Sequence, residues 1–120
     1  MSTAEMHAAA AGAARLSRTS FRHAYWSPAQ WVAHHTHNGC NLQPGDLLGS
    51  GTQSGPTNGE EGCLLELGRG GTLPVALPNG QTRCFLEDGD TLVLRAWCER
   101  DGHARIGFGE CRGTVLPAWT

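Results

Sequence analysis

The sequence contains no lysine: all nine of its basic residues are arginines. The arginines are spread along the 120 residues and nearly balance eleven acidic residues, so the formal net charge is only −2. Proteins that bind nucleic acid usually carry a clustered basic face, and this sequence has none. We therefore expect no nucleic-acid partner.

Long apolar runs are also missing, since nothing approaches the roughly 20 apolar residues that span a bilayer. The alanine-rich N-terminus is interrupted by Glu5, His7 and Arg15 and has no charged-then-apolar signal pattern. These features predict a cytoplasmic protein with no membrane partner. A length of 120 residues suits a single domain and is too short for two.

Cysteine pairs of the form C-x-x-C do not occur. The five cysteines are odd in number and widely spaced, which argues against a disulfide framework and against a zinc knuckle. We interpret them as small buried thiols of a reducing compartment. They are Cys40, Cys63, Cys84, Cys98 and Cys111.

Helices are predicted only in the N-terminal part. The segment 28–37, PAQWVAHHTH, has Ser27 as N-cap, Pro28 at the first helical position and Gly39 as its stop. Alanine alone favours a second helix over 4–14, ending near Gly12, and the segment 15–21 alternates enough for a short strand.

From Pro44 onward, short apolar runs alternate with Gly, Pro, Asn and Asp. These runs predict strands, and LPNGQ and LEDGD predict turns between them. The runs are DLLGSGT, CLLEL, TLPVAL, RCFL, TLVLRAW and ARIGFG. The fold class is therefore mainly β, as one partial domain over 1–120 with an N-terminal helix or two. Few large apolar residues are available to cover two sheet faces, so the strands would have unpaired edges unless a larger body covers them.

The glycine-rich stretch 45–56, GDLLGSGTQSGP, is close to a phosphate-binding pattern. A phosphate loop needs Gly-Lys-Ser/Thr before a helix, whereas this chain has no lysine and continues with Pro56 and Asn58. Locally, a strand and turn is the favoured interpretation. Thr52 and Ser54 among the glycines also allow a non-catalytic β module that binds a small carboxylate.

Three other groups have chemical potential. His34 and His37 share a helix face and suggest a zinc site, although no H-E-x-x-H pattern and no neighbouring carboxylate supports it. Glu66 lies between leucines of a predicted strand, where it is either exposed or buried for a functional reason. The acidic residues Glu87, Asp88 and Asp90 are expected to form a solvated turn.

Four segments together resemble the C-terminal part of the fumarylacetoacetase family, within the fumarylacetoacetate hydrolase superfamily. They are YWSPAQWVAHHTHNGCNLQPGDLLGSGTQSGP, CLLEL, FLEDGDTLVLRAW and GFGECRGTVLPA, in the family's order and spacing. The resemblance implies a mixed β-sandwich roll, a homodimer and a carboxylate-bound Mg²⁺ or Ca²⁺. It also implies hydrolysis of the carbon–carbon bond of 4-fumarylacetoacetate, a diketo acid, to fumarate and acetoacetate in tyrosine catabolism.

The resemblance assigns roles to two residues of this chain. Thr52 matches the threonine that contacts the substrate's carboxylate end, and Glu66 matches the catalytic-site glutamate that pairs with the catalytic histidine. It also implies that this histidine, the metal ligands and the oxyanion-holding residues lie upstream of the matched part. His34 and His35 match a histidine pair of the family's helix and not its general base. Gln43, where the family often has arginine, and the altered linker TNGEEG are the main departures.

Overall fold

The structure is a computed structural model that describes residues 1–119, and its regular elements are short. The helices are α1 (Ala4–Ala8), a 3₁₀ turn (Phe21–His23), α2 (Pro28–Thr36) and α3 (Leu64–Leu67). The strands are β1 (Val75–Ala76), β2 (Thr82–Arg83), β3 (Thr91–Cys98) and β4 (Ile106–Thr114). The fold class is confirmed as a partial, mainly β domain with short helices. Within the described part, no helix has both the length and the apolar character to cross a bilayer.

Helix α2 begins and ends where local chemistry predicts. Ser27 and Gln30 form a reciprocal capping box: the Ser27 hydroxyl accepts the Gln30 N–H at 3.4 Å, and Gln30 Oε1 accepts the Ser27 N–H at 2.8 Å. Pro28 occupies the first turn, and Gly39 takes a φ of +85° just beyond the helix. All of these signals lie within the segment itself, so no distant contact is needed to place α2.

The other two N-terminal predictions are corrected. Helix α1 stops at Ala8, because Ala10 has a φ of +51° and the chain turns back so that the Ala14 N–H bonds to the Met1 carbonyl at 2.7 Å. Alanine propensity alone does not sustain a longer helix. Residues 15–21 form no strand, because the Arg18 N–H donates to the Gly59 carbonyl of a loop at 2.8 Å.

Two predicted strands of the central region are also wrong. The run CLLEL forms the single helical turn α3, and DLLGSGT has no regular structure. A short apolar run fits either a strand or a buried helical turn, and periodicity alone does not separate them. Leu47 is 97% exposed, so the DLLGSGT segment lacks the apolar cover and strand partner that would hold it extended in a sheet.

The C-terminal half consists of two antiparallel hairpins. Strand β1 pairs with β2 across the predicted LPNGQ turn, in which Gly80 has a φ of +84°. Strand β3 pairs with β4 from Thr91↔Thr114 to Cys98↔Ile106, with a register shift between Arg95 and Trp97. Each sheet has two strands, so the long hairpin has an outer edge on both sides.

A buried ion pair stabilises the connection between β2 and β3 and corrects the expectation of a solvated acidic turn for Asp90 alone, since Glu87 and Asp88 are exposed as expected. Asp90 is 1% exposed, and its carboxylate receives Arg83 Nε at 2.8 Å and Arg83 Nη2 at 3.1 Å. The Glu87 backbone N–H donates to the same carboxylate at 3.0 Å. Burial acts to raise the pKa of Asp90, but the hydrogen bonds from Arg83 and Glu87 outweigh it and hold that pKa below its ordinary value.

The apolar core is small for a chain of this length. Only Met1, Met6 and Leu77 are buried hydrophobic residues in the described part of the chain. The accessible surface is 9297 Å², whereas a compact chain of this size exposes about 6,300 Å². The Cα radius of gyration is 17.7 Å, against about 14 Å for a compact domain of 120 residues. The structure therefore has the surface of part of a larger body.

We expect the isolated chain to self-associate or precipitate at micromolar concentration. Large apolar side chains lie open on the long hairpin, including Leu94 at 65% and Phe108 at 70% exposure, beside unpaired strand edges. Analytical ultracentrifugation over a concentration series measures this directly. A stable monomer with a single two-state unfolding transition would contradict the expectation.

The cysteines are less buried than the sequence suggests. Cys40, Cys98 and Cys111 are exposed, Cys63 and Cys84 are half-buried, and all five are free thiols. The prediction that the thiols are buried is therefore wrong for the three exposed ones. The incomplete core explains this, since Cys98 and Cys111 lie on the open hairpin.

Candidate functional site

The segment that contains Thr52 and Ser54 closes into a compact loop. The Gly55 N–H donates to the Glu60 carbonyl at 2.8 Å, and the Glu60 N–H donates to the Thr57 carbonyl at 3.0 Å. A Cβ on Gly55 would lie 2.5 Å from a Glu60 carboxylate oxygen, so glycine is needed for this close approach. The loop thereby brings Ser54 and Thr52 back toward the start of α3.

The Glu60 side chain stabilises the same loop through contacts with Thr57 and His23. Its carboxylate receives the Thr57 hydroxyl at 2.8 Å and the Thr57 N–H at 3.2 Å, and it lies 3.9 Å from His23 Nε2. The hydrogen bond from the Thr57 hydroxyl, followed by that from the backbone, lowers the pKa of Glu60. A charged Glu60 therefore reinforces the loop at neutral pH.

Glu66 is the residue on which this loop converges. It lies in the single turn of α3, is exposed, and accepts hydrogen bonds from the Ser54 hydroxyl and, at 3.2 Å, from the Gly62 N–H. The Gly62 N–H also reaches the Ser54 oxygen at 3.1 Å. The carboxylate is thus fixed by two donors on one oxygen, Oε2, which leaves Oε1 available for another group.

Thr52 approaches the same place through Gly62. A Cβ added to Gly62 would lie 2.6 Å from the Thr52 methyl carbon and 2.5 Å from the Gln53 carbonyl oxygen. Only glycine permits this contact. Thr52 is itself exposed, so its hydroxyl is accessible to a ligand. The structure therefore brings Thr52, Ser54 and Glu66 to one exposed surface, which we call the Thr52–Glu66 site.

The histidines of α2 do not join this site. His34, His35 and His37 are exposed, and His35 Nε2 lies 3.3 Å from the Cys40 thiol. Over residues 1–119, no group of three or more His, Cys, Asp or Glu side chains is placed to hold a metal ion. The zinc site suggested by His34 and His37 therefore lacks the ligands that zinc requires.

Sequence reasoning selected Thr52 and Glu66 but missed how they are connected. The Ser54–Glu66 hydrogen bond joins residues twelve apart, and Gly62 contributes through its backbone and its missing side chain. The one available signal was the clustering of Ser, Thr and Gly around a helical turn that contains a carboxylate. That signal has no fixed spacing, so no pattern would have identified it.

Comparison with known proteins places the chain in a family. A family model described as "Fumarylacetoacetate (FAA) hydrolase C-terminal" matches residues 2–116. The chain is 56% identical to the fumarylacetoacetase of Bos taurus and 53% identical to that of Homo sapiens, over 106 residues in each case. It is 55% identical to the fumarylacetoacetase of Caenorhabditis elegans over 101 residues.

These alignments cover most of this chain and a small share of each relative. The bovine and human alignments span 88% of this chain and 25% of each relative. The nematode alignment spans 84% of this chain and 24% of the relative. The chain thus spans about a quarter of the length of the curated relatives that it matches. On the family match over nearly its whole length, the chain belongs to the fumarylacetoacetate hydrolase family and carries sequence of its C-terminal region.

Proposed function

We propose that this chain forms the C-terminal part of a fumarylacetoacetase catalytic domain and is inactive without the remaining part. The observation that carries the proposal is the 50–56% identity to several proteins named fumarylacetoacetase. The assembled enzyme would hydrolyse the carbon–carbon bond of 4-fumarylacetoacetate to fumarate and acetoacetate, in tyrosine and phenylalanine catabolism. By the same family relation we propose a cytoplasmic homodimer.

The reaction needs a base, an oriented water and a stabilised leaving group. Water attacks the carbonyl next to the bond that breaks, and the departing carbon keeps the electron pair as an enolate, which a proton then quenches. A histidine held by a carboxylate removes the proton from the attacking water. We propose Glu66 as this orienting carboxylate and a histidine outside this chain as the base.

The geometry of Glu66 supports a positioning role. Ser54 and Gly62 bind Oε2 of the exposed Glu66, which leaves Oε1 to accept an imidazole N–H. A carboxylate fixed in this way sets the tautomer and orientation of the imidazole and stabilises its protonated form. Glu66 would therefore act through the histidine and not on the substrate.

The family's metal does not fit residues of this chain alone. A hard cation such as Mg²⁺ or Ca²⁺ takes several oxygen ligands, and within the described residues no group of three acidic, histidine or cysteine side chains converges. We propose that such a metal, if the assembled enzyme uses one, is bound by the part outside this chain. No step assigned to Glu66 or Thr52 depends on it.

A chimeric enzyme tests the role of Thr52. In it, the matching 106-residue segment of the bovine fumarylacetoacetase is replaced by that of this chain. We expect Thr52→Val to raise KM for fumarylacetoacetate about 10- to 100-fold with little change in kcat, because a hydroxyl that binds a substrate carboxylate contributes about 1.5–3 kcal/mol. Steady-state kinetics of the chimera and of its Thr72→Val control measure the effect, and an unchanged KM would remove Thr52 from the substrate site.

The alternative is a stand-alone module that binds a small carboxylate through Thr52 and Ser54, favoured by the exposed Thr52 and the half-buried Ser54 lying close together among glycines. Calorimetric titration of the 120-residue chain with fumarate or acetoacetate distinguishes the two. Binding that Thr52→Val abolishes, together with an inactive chimera, would favour the module over the hydrolase.

A further inference from the structure

A thiol and an imidazole lie side by side just beyond the C-terminal end of α2. Cys40 Sγ is 3.3 Å from His35 Nε2, and both side chains are exposed. The chain reversal after Thr36 produces this contact: Gly39 takes a φ of +85°, and Asn38 Oδ1 accepts the Cys40 N–H at 3.3 Å. The pair is therefore formed locally, within residues 35–40.

The other exposed cysteines provide an internal comparison. Cys98 and Cys111 are also exposed free thiols, but within residues 1–119 neither of them hydrogen-bonds to a histidine. Cys40 is therefore distinguished from them by its imidazole neighbour and not by exposure. Thiol reactivity depends on access and on the thiolate fraction, so a neighbouring base separates thiols of equal access.

An open groove adjoins His35, although Cys40 itself is not part of its lining. Its volume is about 500 Å³, and its lining includes Trp26, Trp31, Leu48 and the two histidines His34 and His35. Indole rings and a leucine favour an uncharged organic molecule over a charged one. His35 thus borders both the groove and the thiol.

We propose that Cys40, activated by His35, is a reactive thiol that forms covalent adducts with uncharged α,β-unsaturated carbonyl compounds. The imidazole takes the thiol proton while the sulfur electron pair forms a C–S bond to the β-carbon. The alkene electron pair moves to the α-carbon as an enolate, which then takes the proton back from the imidazolium. The addition is balanced and needs neither an oxidant nor a second cysteine.

This inference does not rest on the hydrolase proposal. The contact between Cys40 and His35 involves no residue of the Thr52–Glu66 site. The reactivity of Cys40 can therefore be measured in the 120-residue chain, whether or not that chain has any enzymatic activity.

The test is the rate of N-ethylmaleimide addition at each cysteine, followed by quantitative peptide mass spectrometry of the 120-residue chain. We expect Cys40 to react at least about tenfold faster than Cys98 and Cys111. This factor is smaller than the rate enhancement of about 10²- to 10⁴-fold that a positioned base contributes in an enzyme. His35→Gln should bring Cys40 to their level. His37→Gln, at an exposed histidine that lines neither the groove nor the thiol contact, should leave the Cys40 rate unchanged.

Three results would overturn the proposal. The first is that the three exposed cysteines of the native wild-type chain react at equal rates. This measurement needs no variant, so it remains decisive even if a substituted chain fails to fold. Another is a Cys40 excess that persists in concentrated guanidinium, since it would then not depend on the folded contact. The third is a Cys40 rate that is unaffected by His35→Gln or equally reduced by His37→Gln.

Discussion

Replacing Glu66 by glutamine in the chimeric enzyme should lower kcat by about 10²- to 10⁴-fold, the range over which a positioned acid–base system contributes. Glutamine keeps an oxygen that accepts the Ser54 hydroxyl and the Gly62 N–H, so the loop geometry is retained. The carboxylate charge that stabilises the imidazolium is lost. Stopped-time assays of fumarylacetoacetate consumption measure the change.

The pH dependence of the same variant separates positioning from mere structural damage. A carboxylate beside a histidine favours the protonated imidazole and raises its pKa, so removing the charge should move the acid limb of kcat/KM to lower pH. Glu61→Gln is the matched control, because Glu61 lies in the same loop and, among residues 1–119, its carboxylate accepts a hydrogen bond from the Gly59 N–H alone, at 2.6 Å. A Glu66→Gln enzyme with near-parental kcat and an unshifted profile would remove Glu66 from the mechanism.

Replacing Asp90 by asparagine should destabilise the β2–β3 region by about 3 kcal/mol, the lower end of the cost of breaking a buried ion pair. The asparagine amide would direct N–H donors at the Arg83 guanidinium, which is itself only 8% exposed. We expect the lower end of this range because the Glu87 carboxylate remains 3.2 Å from Arg83 and still partly neutralises the guanidinium charge. The Val115 N–H donates to the Asp90 carbonyl, and the N–H of the adjacent Thr91 donates to the Ser2 carbonyl. Faster hydrogen exchange of these two amides reports the loss of stability.

Acid titration provides the second measurement of this ion pair. Because the folded pKa of Asp90 lies below its ordinary value of 3.8, its stabilisation is complete above that value and is lost as the pH falls through the folded pKa. The wild-type chain should lose structure below about pH 4 in a step that Asp90→Asn lacks. Glu110→Gln, at the exposed Arg95 and Arg112 pairs, is the control and should change little. Equal effects of the two substitutions would contradict the account.

The sequence predicted those elements whose determinants are local. Helix α2 has its cap, its first-turn proline and its terminating glycine within thirteen residues, and the LPNGQ turn has its own glycine. The long hairpin contains the predicted run TLVLRAW in β3 and most of the predicted run ARIGFG in β4. In each case the hydrogen bonds that form the element lie within or next to it, so tertiary context has little influence.

Predictions failed where the partner of a segment is distant or absent. Asp90 resembles its neighbours Glu87 and Asp88 in sequence, and only contact with Arg83, seven residues earlier, decides that it is buried. DLLGSGT needs a neighbouring strand to become one, and Leu47 remains uncovered. Likewise, the interpretation of the cysteines as buried assumed a complete core, whereas the hairpin that contains Cys98 and Cys111 is open.

The candidate site follows the same division. Thr52 and Glu66 were selected by family resemblance, and their convergence depends on a loop closed by Gly55 and Gly62, which no local pattern encodes. Resemblance supplied the roles and the structure supplied the contacts through Ser54. On the proposed function, the histidine that Glu66 orients lies outside the chain, so these residues form one part of the site.

The most direct test of the account compares fumarylacetoacetate hydrolysis by the isolated 120-residue chain and by the chimera under identical conditions with Mg²⁺ or Ca²⁺ present. We predict that the isolated chain is indistinguishable from buffer, because on the proposed function it holds the orienting carboxylate while the base lies in the remaining part of the enzyme. The chimera should retain activity within about tenfold of its bovine parent, since the exchanged segments are 56% identical. Metal-dependent hydrolysis by the isolated chain, or a folded chimera without activity, would contradict the claim that this chain supplies one part of a shared active site.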